Sequence, residues 1–398
     1  MLFAMRVLLV APLDPKVPSH LKYLMGGENT YTRTLLKHPP RGVEYVHYLS
    51  ALSSGAVRPG KLHRLLRFLS KFRLLPLSAG TVDLELCSHF DLVHCHAYTL
   101  RLSGQESGRM PVVLGDSVPN RWALRNYFHQ NSLRIKAAYA FRHVVHRLAN
   151  VYDQDLCLGN FKTLIVMSRF AQREHFKIRK TSKRIRVIYP GLPDRGIRLP
   201  TADKSVRFLF AGVWFERKGG LIVWEAYRRV RERFGRKVRL TILGPLPNKL
   251  KMKSSSFAKA TADREKLKVL GIQQHDFVPY ERLVGEFYPN ADVLVHVPPE
   301  SEGYGLVVSE AMSFGICPVV SAVGALPEMV IHGKTGMVVK PGIVESLEKA
   351  LTVLVRNGAL RERLGRAARA RFLQEFILEK MQKELIEVYQ QALSSHSQ

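Results

Sequence analysis

Ala291-Asp-Val-Leu-Val-His-Val297 leads into Glu302-Gly-Tyr-Gly-Leu-Val-Val-Ser-Glu310, and the apolar residues continue to Phe314. The first run reads as a buried strand and Val307 to Phe314 as a helix. Between them a loop carries a carboxylate, and the helix opens on two glycines. Glycine lets a backbone approach a ligand closely, and free amides at a helix start attract anions such as phosphate. Glu302, just before that start, can accept hydrogen bonds from sugar hydroxyls. Glu310, inside the helix, can reach another part of the same ligand. The combination suits a sugar joined to a diphosphate. Two glutamates eight positions apart also occur as solvated helix-flanking charges, but the Gly303-Tyr304-Gly305 step and the strand before it favour binding.

The same strand–helix alternation extends in both directions. Arg6 to Ala11 reads as a first strand, followed by Gly26-Gly27 and a helix from Thr30 to Lys37. Further strands are expected at Val43 to Leu49, Asp91 to Ala97, Pro111 to Asp116, Thr163 to Ser168 and Arg186 to Gly191, with a helical stretch over Arg121 to Leu148. Leu192 to Lys204, rich in Pro, Gly and polar residues, reads as a linker. A second series then starts: strands at Val206 to Ala211, Arg239 to Gly244, Asp276 to Pro279, Ala291 to Val297, Cys317 to Ser321 and Gly336 to Val339. Alternating strands and helices imply parallel sheets covered on both faces, so two such α/β units follow one another. Ser254 to Glu265 reads as a surface insertion. Glu379 to Leu393 carries Met381, Leu385, Val388 and Ala392 at helical spacing and must bury that stripe.

Length and composition agree. A chain of 398 residues exceeds one ordinary core, and 46% hydrophobic residues is normal for a globular protein. Four scattered cysteines without C-x-x-C spacing fit a reducing cytosol better than a disulfide scaffold. No run reaches the roughly 20 apolar residues of a spanning helix, and the apolar N-terminus lacks the marks of a signal peptide. The net charge of +28 attracts polyanions, whether nucleic acid, anionic lipid or phosphorylated substrate. No nucleic-acid-binding motif accompanies it, so specific nucleic acid is not expected.

Gly212-Val-Trp-Phe-Glu-Arg-Lys-Gly-Gly220 follows the first strand of the second series and sets Arg217 and Lys218 beside two glycines at a helix start. Cations there can neutralise a diphosphate leaving group. In open parallel sheets ligands bind beyond the carboxyl ends of strands, so this loop and the Glu302 loop can converge on one ligand. His94 and His96 share one face of their strand. No third metal ligand announces itself, and one histidine is expected in the core and one at a rim. Asp153-Gln-Asp155 is a lone Asp-x-Asp that precedes a strand instead of ending one, so a metal-dependent single-sheet transferase is disfavoured. Leu62, Leu65, Leu66, Leu69 and Phe72 form an apolar helical face opposite Arg64, Arg67 and Lys71. That pattern fits an anionic membrane surface or a core-facing helix equally.

These residues resemble glycosyltransferase family 4, the retaining GT-B enzymes of group 1. The resemblance rests on Gly26-Gly27, Asp91 to His96, Ser168, Tyr189-Pro-Gly191, Gly212 with Arg217-Lys218-Gly219, Gly244-Pro245, Glu302 to Glu310, Pro318, Gly324 to Glu328 and Gly333 to Gly336. It implies an α/β GT-B fold of two Rossmann-like domains with parallel sheets facing a cleft. Residues 1–195 would form the acceptor domain and 204–373 the nucleotide-sugar domain, while 374–398 would cross back to the first as a helix. The resemblance implies transfer, with retained configuration, from a nucleoside-diphosphate sugar to a glycan, glycolipid or lipid-linked acceptor in cell-envelope or polysaccharide biosynthesis. The enzyme would be cytoplasmic or peripheral on the inner face of the membrane and need no obligatory metal or cofactor. Arg217 and Lys218 would hold the diphosphate, Glu302 the donor sugar and Glu310 the ribose. Gly27, Gly212, Gly303, Tyr304, Gly305 and Leu306 would complete the donor site, and His96 and Asp116 would face the acceptor. Val213 replaces an arginine found after the glycine in many members, which leaves its load to Arg217. Gly115 replaces a histidine that usually lies near the reacting sugar. The alternative is a catalytically silent GT-B protein that binds a sugar nucleotide or polyanion.

Overall fold

The computed structural model describes residues 4–13, 26–62, 81–105, 107–126, 132–178, 185–197, 205–247, 250 and 267–395. The chain divides into two compact units, one containing Met25–Gly191 with the first strand and Leu378–Gln398, the other Leu192–Ile377.

In the first unit the elements are β1 Met5–Val10, α1 Gly26–Lys37, β2 Val43–His47, α2 Tyr48–Ser53, β3 Val57–Pro59, β4 Thr81–Leu86, β5 Leu92–His96, β6 Thr99–Ser103, β7 Val112–Asp116, α3 Asn120–Asn126, α4 Ser132–Leu148, β8 Thr163–Val166, α5 Arg169–Ile178 and β9 Ile185–Val187. Six strands pair in parallel in the order β2-β1-β5-β7-β8-β9. The Val/Leu runs of β1 and β7 and the fully buried β5 are what a sheet covered on both faces requires. Leu8, Val10, Val93, Leu114 and Leu164 are buried in one core cluster. A small side sheet, β3-β4-β6, joins it.

The second unit contains β10 Val206–Ala211, α6 Gly220–Phe234, β11 Val238–Leu243, β12 Ile272–His275, β13 Val293–His296, α7 Leu306–Ser313, β14 Cys317–Ser321, α8 Leu326–Met329, β15 Met337–Val339, α9 Val344–Arg356 and α10 Gly358–Glu375. Its parallel sheet runs β12-β11-β10-β13-β14-β15. Numbered within the unit that is 3-2-1-4-5-6, the dinucleotide-fold order, whose direction reverses between β10 and β13. Phe208, Phe210, Val293, Val295 and Val319 line the core with Val223 and Tyr227 of α6.

The last helix, α11 Leu378–Ser394, belongs to the first unit. Met381, Leu385, Val388 and Ala392 are buried, as their spacing requires. The Tyr389 hydroxyl lies 2.8 Å from that of Tyr45 and 2.7 Å from His94 Nδ1.

Several expectations shift. The strand expected at Asp276 to Pro279 lies at Ile272–His275. Among the described residues it is an edge strand, paired with β11 alone, and its Gln-Gln-His composition hides it from an apolar pattern. Helix α1 begins at Gly26 instead of Thr30, which puts Gly26 and Gly27 in its first turn. The side sheet was not anticipated. The helix proposed around Leu62 to Phe72, the insertion at Ser254 to Glu265 and the linker's second half lie outside the described residues.

Candidate functional site

In the second unit the loop after β10 turns at Gly219, whose φ is +86°. A Cβ there would stand 2.0 Å from the Val297 carbonyl oxygen, so the turn presses directly against the end of β13. That contact brings Lys218 onto Glu302. The Lys218 Nζ and Glu302 Oε2 form a close, largely buried ion pair, and His296 Nε2 of β13 lies 3.0 Å from the same oxygen. Gly305, in the left-handed region, caps α7, so the helix starts a few residues beyond Glu302. The Glu302 carbonyl accepts from Ala325 N at 3.0 Å, which fixes the loop.

Burial alone would push the Glu302 carboxyl up. Lys218, His296 and Arg217 outweigh it and hold the carboxyl well below its usual range. Burial and Arg217 lower Lys218 against the pull of Glu302, and burial likewise lowers His296. The result is a cation and a carboxylate with a buried imidazole behind them. His296 Nδ1 has no hydrogen-bond partner among the described residues. The site therefore lies at the reversal point of the sheet, with Arg217 and Lys218 leaving β10 and Glu302 leaving β13.

Glu310 has a separate environment. Tyr288 donates to its Oε2 at 2.5 Å, and Tyr280 and Arg195 also act on it, yet burial still raises its carboxyl above the usual value. Tyr304 is buried with its ring edge-on to Phe376, at 6.3 Å. Gly212 packs on Lys218, whose Cβ and Cγ lie 3.0 Å from where a Gly212 Cβ would stand.

The first unit repeats the arrangement at its own reversal point, between β1 and β5. Glu28, in the first turn of α1, makes a short contact with His96 Nε2 at the end of β5. Burial pushes the Glu28 carboxyl up, but the His96 imidazole and the Ser117 hydroxyl bring it below its usual value. Next to it, His94 is driven down to about 3 by burial and by His96. Both histidines are buried, so neither sits at an exposed rim. Gly115 explains itself here. A Cβ on it would stand 2.4 Å from His96 Nδ1 and 3.1 Å from His94 Nε2, so position 115 has no room for a side chain while these imidazoles are present. Those two nitrogens have no hydrogen-bond partner among the described residues. Asp116 lies 3.4 Å from His175 Nε2, and burial, opposed by His175, pushes it up to about 6.

Asp153 and Asp155 are taken up in a buried network. Arg142 Nε and Nη2 donate to Asp153 at 2.6 and 2.9 Å, Arg142 Nη1 lies 3.2 Å from Asp155, His146 Nδ1 is 2.7 Å from Asp153, and the Tyr139 hydroxyl donates to Asp155 at 2.9 Å. Among the described residues no three His, Cys, Asp or Glu side chains converge as metal ligands would.

Sequence reading paired Arg217-Lys218 with Glu302 but missed His296, Arg195, Tyr288, Tyr280 and Glu28. A histidine inside an apolar strand, an arginine in a linker and tyrosines in a short helical turn read as ordinary residues. Glu28 alone carried a signal, since it follows the two glycines directly.

The family model for glycosyl transferases group 1 matches residues 198–371. The second unit is a group 1 glycosyltransferase domain. The chain is similar to the sulfoquinovosyl transferase SQD2 of Arabidopsis thaliana, 40% identical over 89 residues that make up 22% of this chain and 17% of that protein. It is also similar to a D-inositol 3-phosphate glycosyltransferase of Pseudarthrobacter chlorophenolicus, 34% identical over 168 residues, 42% of this chain and 38% of that one. The matches thus span well under two thirds of these relatives. HepE of Anabaena, solved with UDP and glucose, superposes on 98% of this chain and 100% of its own with a TM-score of 0.62 at 14% identity. That likeness is one of fold, and the fold is GT-B.

Proposed function

We propose that the protein is a retaining glycosyltransferase that moves a sugar from a nucleoside-diphosphate sugar to a glycan, glycolipid or lipid-linked acceptor. The observation that carries this reading is the Lys218–Glu302–His296 cluster at the sheet's reversal point, beside the start of α7. Arg217, Lys218 and the α7 amides hold the diphosphate and stabilise the charge that grows on it as the glycosidic bond breaks. Glu302 stays ionised throughout the neutral range and accepts from donor-sugar hydroxyls. Glu310, set by Tyr288 and Tyr280, accepts from the ribose. The acceptor hydroxyl attacks from the face the diphosphate leaves, and the departing phosphate oxygen takes its proton, so no side chain has to serve as base. On this reading the two cations carry the charge work and no metal is obligatory. HepE, a protein of this fold, holds UDP and glucose, which supports a nucleotide-sugar donor. His96 and Asp116 belong to the acceptor side. The free thiols of Cys95 and Cys317 suit the cytoplasm, and a lipid-linked acceptor would bring the enzyme to the inner face of the membrane.

The test is turnover. Each common sugar nucleotide is offered with extracted lipid and glycan acceptors, and the product's anomeric proton coupling is read by NMR. Transfer with the donor's configuration is expected. Inverted product would overturn the retaining mechanism, and no transfer from any donor by folded protein would favour a silent binding protein.

A further inference from the structure

Helix α4 leaves an apolar stripe in solvent. Leu133, Ala137, Phe141, Val144 and Leu148 fall on one face, at helical spacing, and that face points to solvent. Leu133 is 70% exposed, Phe141 44%, Val144 55% and Leu148 84%. The opposite face is buried: Ile135 packs with Tyr139 and Leu156, and Tyr139, Arg142 and His146 lie in the network with Asp153 and Asp155. An amphipathic helix on a globular unit normally buries its apolar stripe and exposes its charges. Here the Arg142–Asp153 and Tyr139–Asp155 contacts set the helix's rotation, so it cannot roll to hide the stripe without breaking them. Among the described residues, every exposed large hydrophobic side chain of the first unit lies on this one helix. No helix of the described residues is long and apolar enough to cross a membrane.

Charge selects the occupant. The helix contains no Asp or Glu, and Lys136 and Arg147 are exposed along one flank of the stripe, with His143 half-buried between them. Pairing with a second copy through this face would bring like charges together. An anionic surface complements them, and a helix with an apolar stripe and a cationic flank suits the plane of a lipid interface. We propose that the outer face of α4 docks on an anionic lipid bilayer. Leu133, Phe141, Val144 and Leu148 enter the headgroup–acyl boundary, and Lys136 and Arg147 meet the lipid phosphates. This surface involves no sugar nucleotide, so it stands or falls separately from the transferase reading.

A net charge of +28 draws any such protein to anionic vesicles, so binding alone decides nothing. The discriminating experiment keeps the charge constant. The full chain and the variant Phe141→Ser/Val144→Ser/Leu148→Ser are floated with phosphatidylcholine vesicles, with and without phosphatidylglycerol. The replaced side chains are exposed, so the thermal midpoint should hold; Leu148→Ser alone, at the helix end, serves if the triple variant is unstable. We expect the parent to bind phosphatidylglycerol vesicles and the triple variant to bind at least about ten-fold more weakly. Lys136→Ala/Arg147→Ala should retain apolar binding and bind phosphatidylglycerol vesicles more weakly than the parent. Equal binding by parent and triple variant overturns the proposal, as does a parent that ignores the vesicles. Sedimentation showing a lipid-free dimer that the triple variant abolishes would assign the face to a second copy instead.

Discussion

Replacing Lys218 with Met is expected to lower kcat for sugar transfer by roughly a hundred- to a thousand-fold, the loss seen when one preorganised group that stabilises transition-state charge is removed. The methionine keeps the stem that packs on Gly212, so the loop after β10 holds its course. What disappears is the cation facing the leaving diphosphate. Glu302→Gln should fall in the same range, because the amide keeps the shape but adds a donor where the sugar hydroxyls need an acceptor. The two residues form one ion pair, so the double variant should be little worse than the worse single one. Additive losses would mean that the pair acts as two independent groups, and near-parental kcat in either folded single variant would mean that the donor site lies elsewhere.

The pair also fixes how the site responds to acid. A carboxyl held below its unfolded value contributes stability that is fully present above that unfolded value, 4.5 for Glu302. It is lost only as pH falls through the lower folded value. Between neutral pH and 5 Glu302 therefore stays charged, and any loss of activity there comes from another group.

The second large effect concerns stability. Arg142 is fully buried between Asp153 and Asp155. Arg142→Met removes the cation and leaves two buried carboxylates with His146 and Tyr139. Breaking a buried ion pair from one side costs about 3–5 kcal/mol, a fall in thermal midpoint on the order of 10 °C for a unit of this size. Adding Asp153→Leu to Arg142→Met should recover part of the loss, because the uncompensated charge is removed as well. Calorimetry of the parent, the single and the double variant checks both statements. An unchanged midpoint in Arg142→Met would show that the network contributes little and that the rotation of α4 is set by other contacts.

Much of this architecture was legible in the sequence because parallel sheets write themselves as apolar runs followed by glycine turns. Val206 to Ala211 before Gly212, and Ala291 to Val297 before Gly303 and Gly305, gave both the strands and the loops that leave them. The convergence of Lys218 on Glu302 followed from the rule that loops at carboxyl ends of neighbouring strands meet. What failed had a physical cause in each instance. The edge strand Ile272–His275 needs no apolar alternation, because one of its edges has no partner strand among the described residues. His296 sits in a strand where a histidine resembles any core residue until its hydrogen-bond partner is known. The exposed apolar face of α4 depends on a partner beyond the helix, Asp153, that helical periodicity cannot show. Gly115 looked like a lost functional side chain, whereas the space above it is filled by His96 and His94 from the neighbouring strand.

On the proposed function, the loops around Lys218 and Glu302 form a nucleoside-diphosphate site. Thermal unfolding of the parent and of Lys218→Met, without added metal, in graded concentrations of UDP, GDP, ADP, TDP and CMP, addresses it most directly, because a ligand that binds only the folded state raises the midpoint with its concentration. A concentration-dependent rise with one diphosphate, strongly reduced in Lys218→Met, is the predicted result. No rise with any nucleotide, or an equal rise in both proteins, would contradict it.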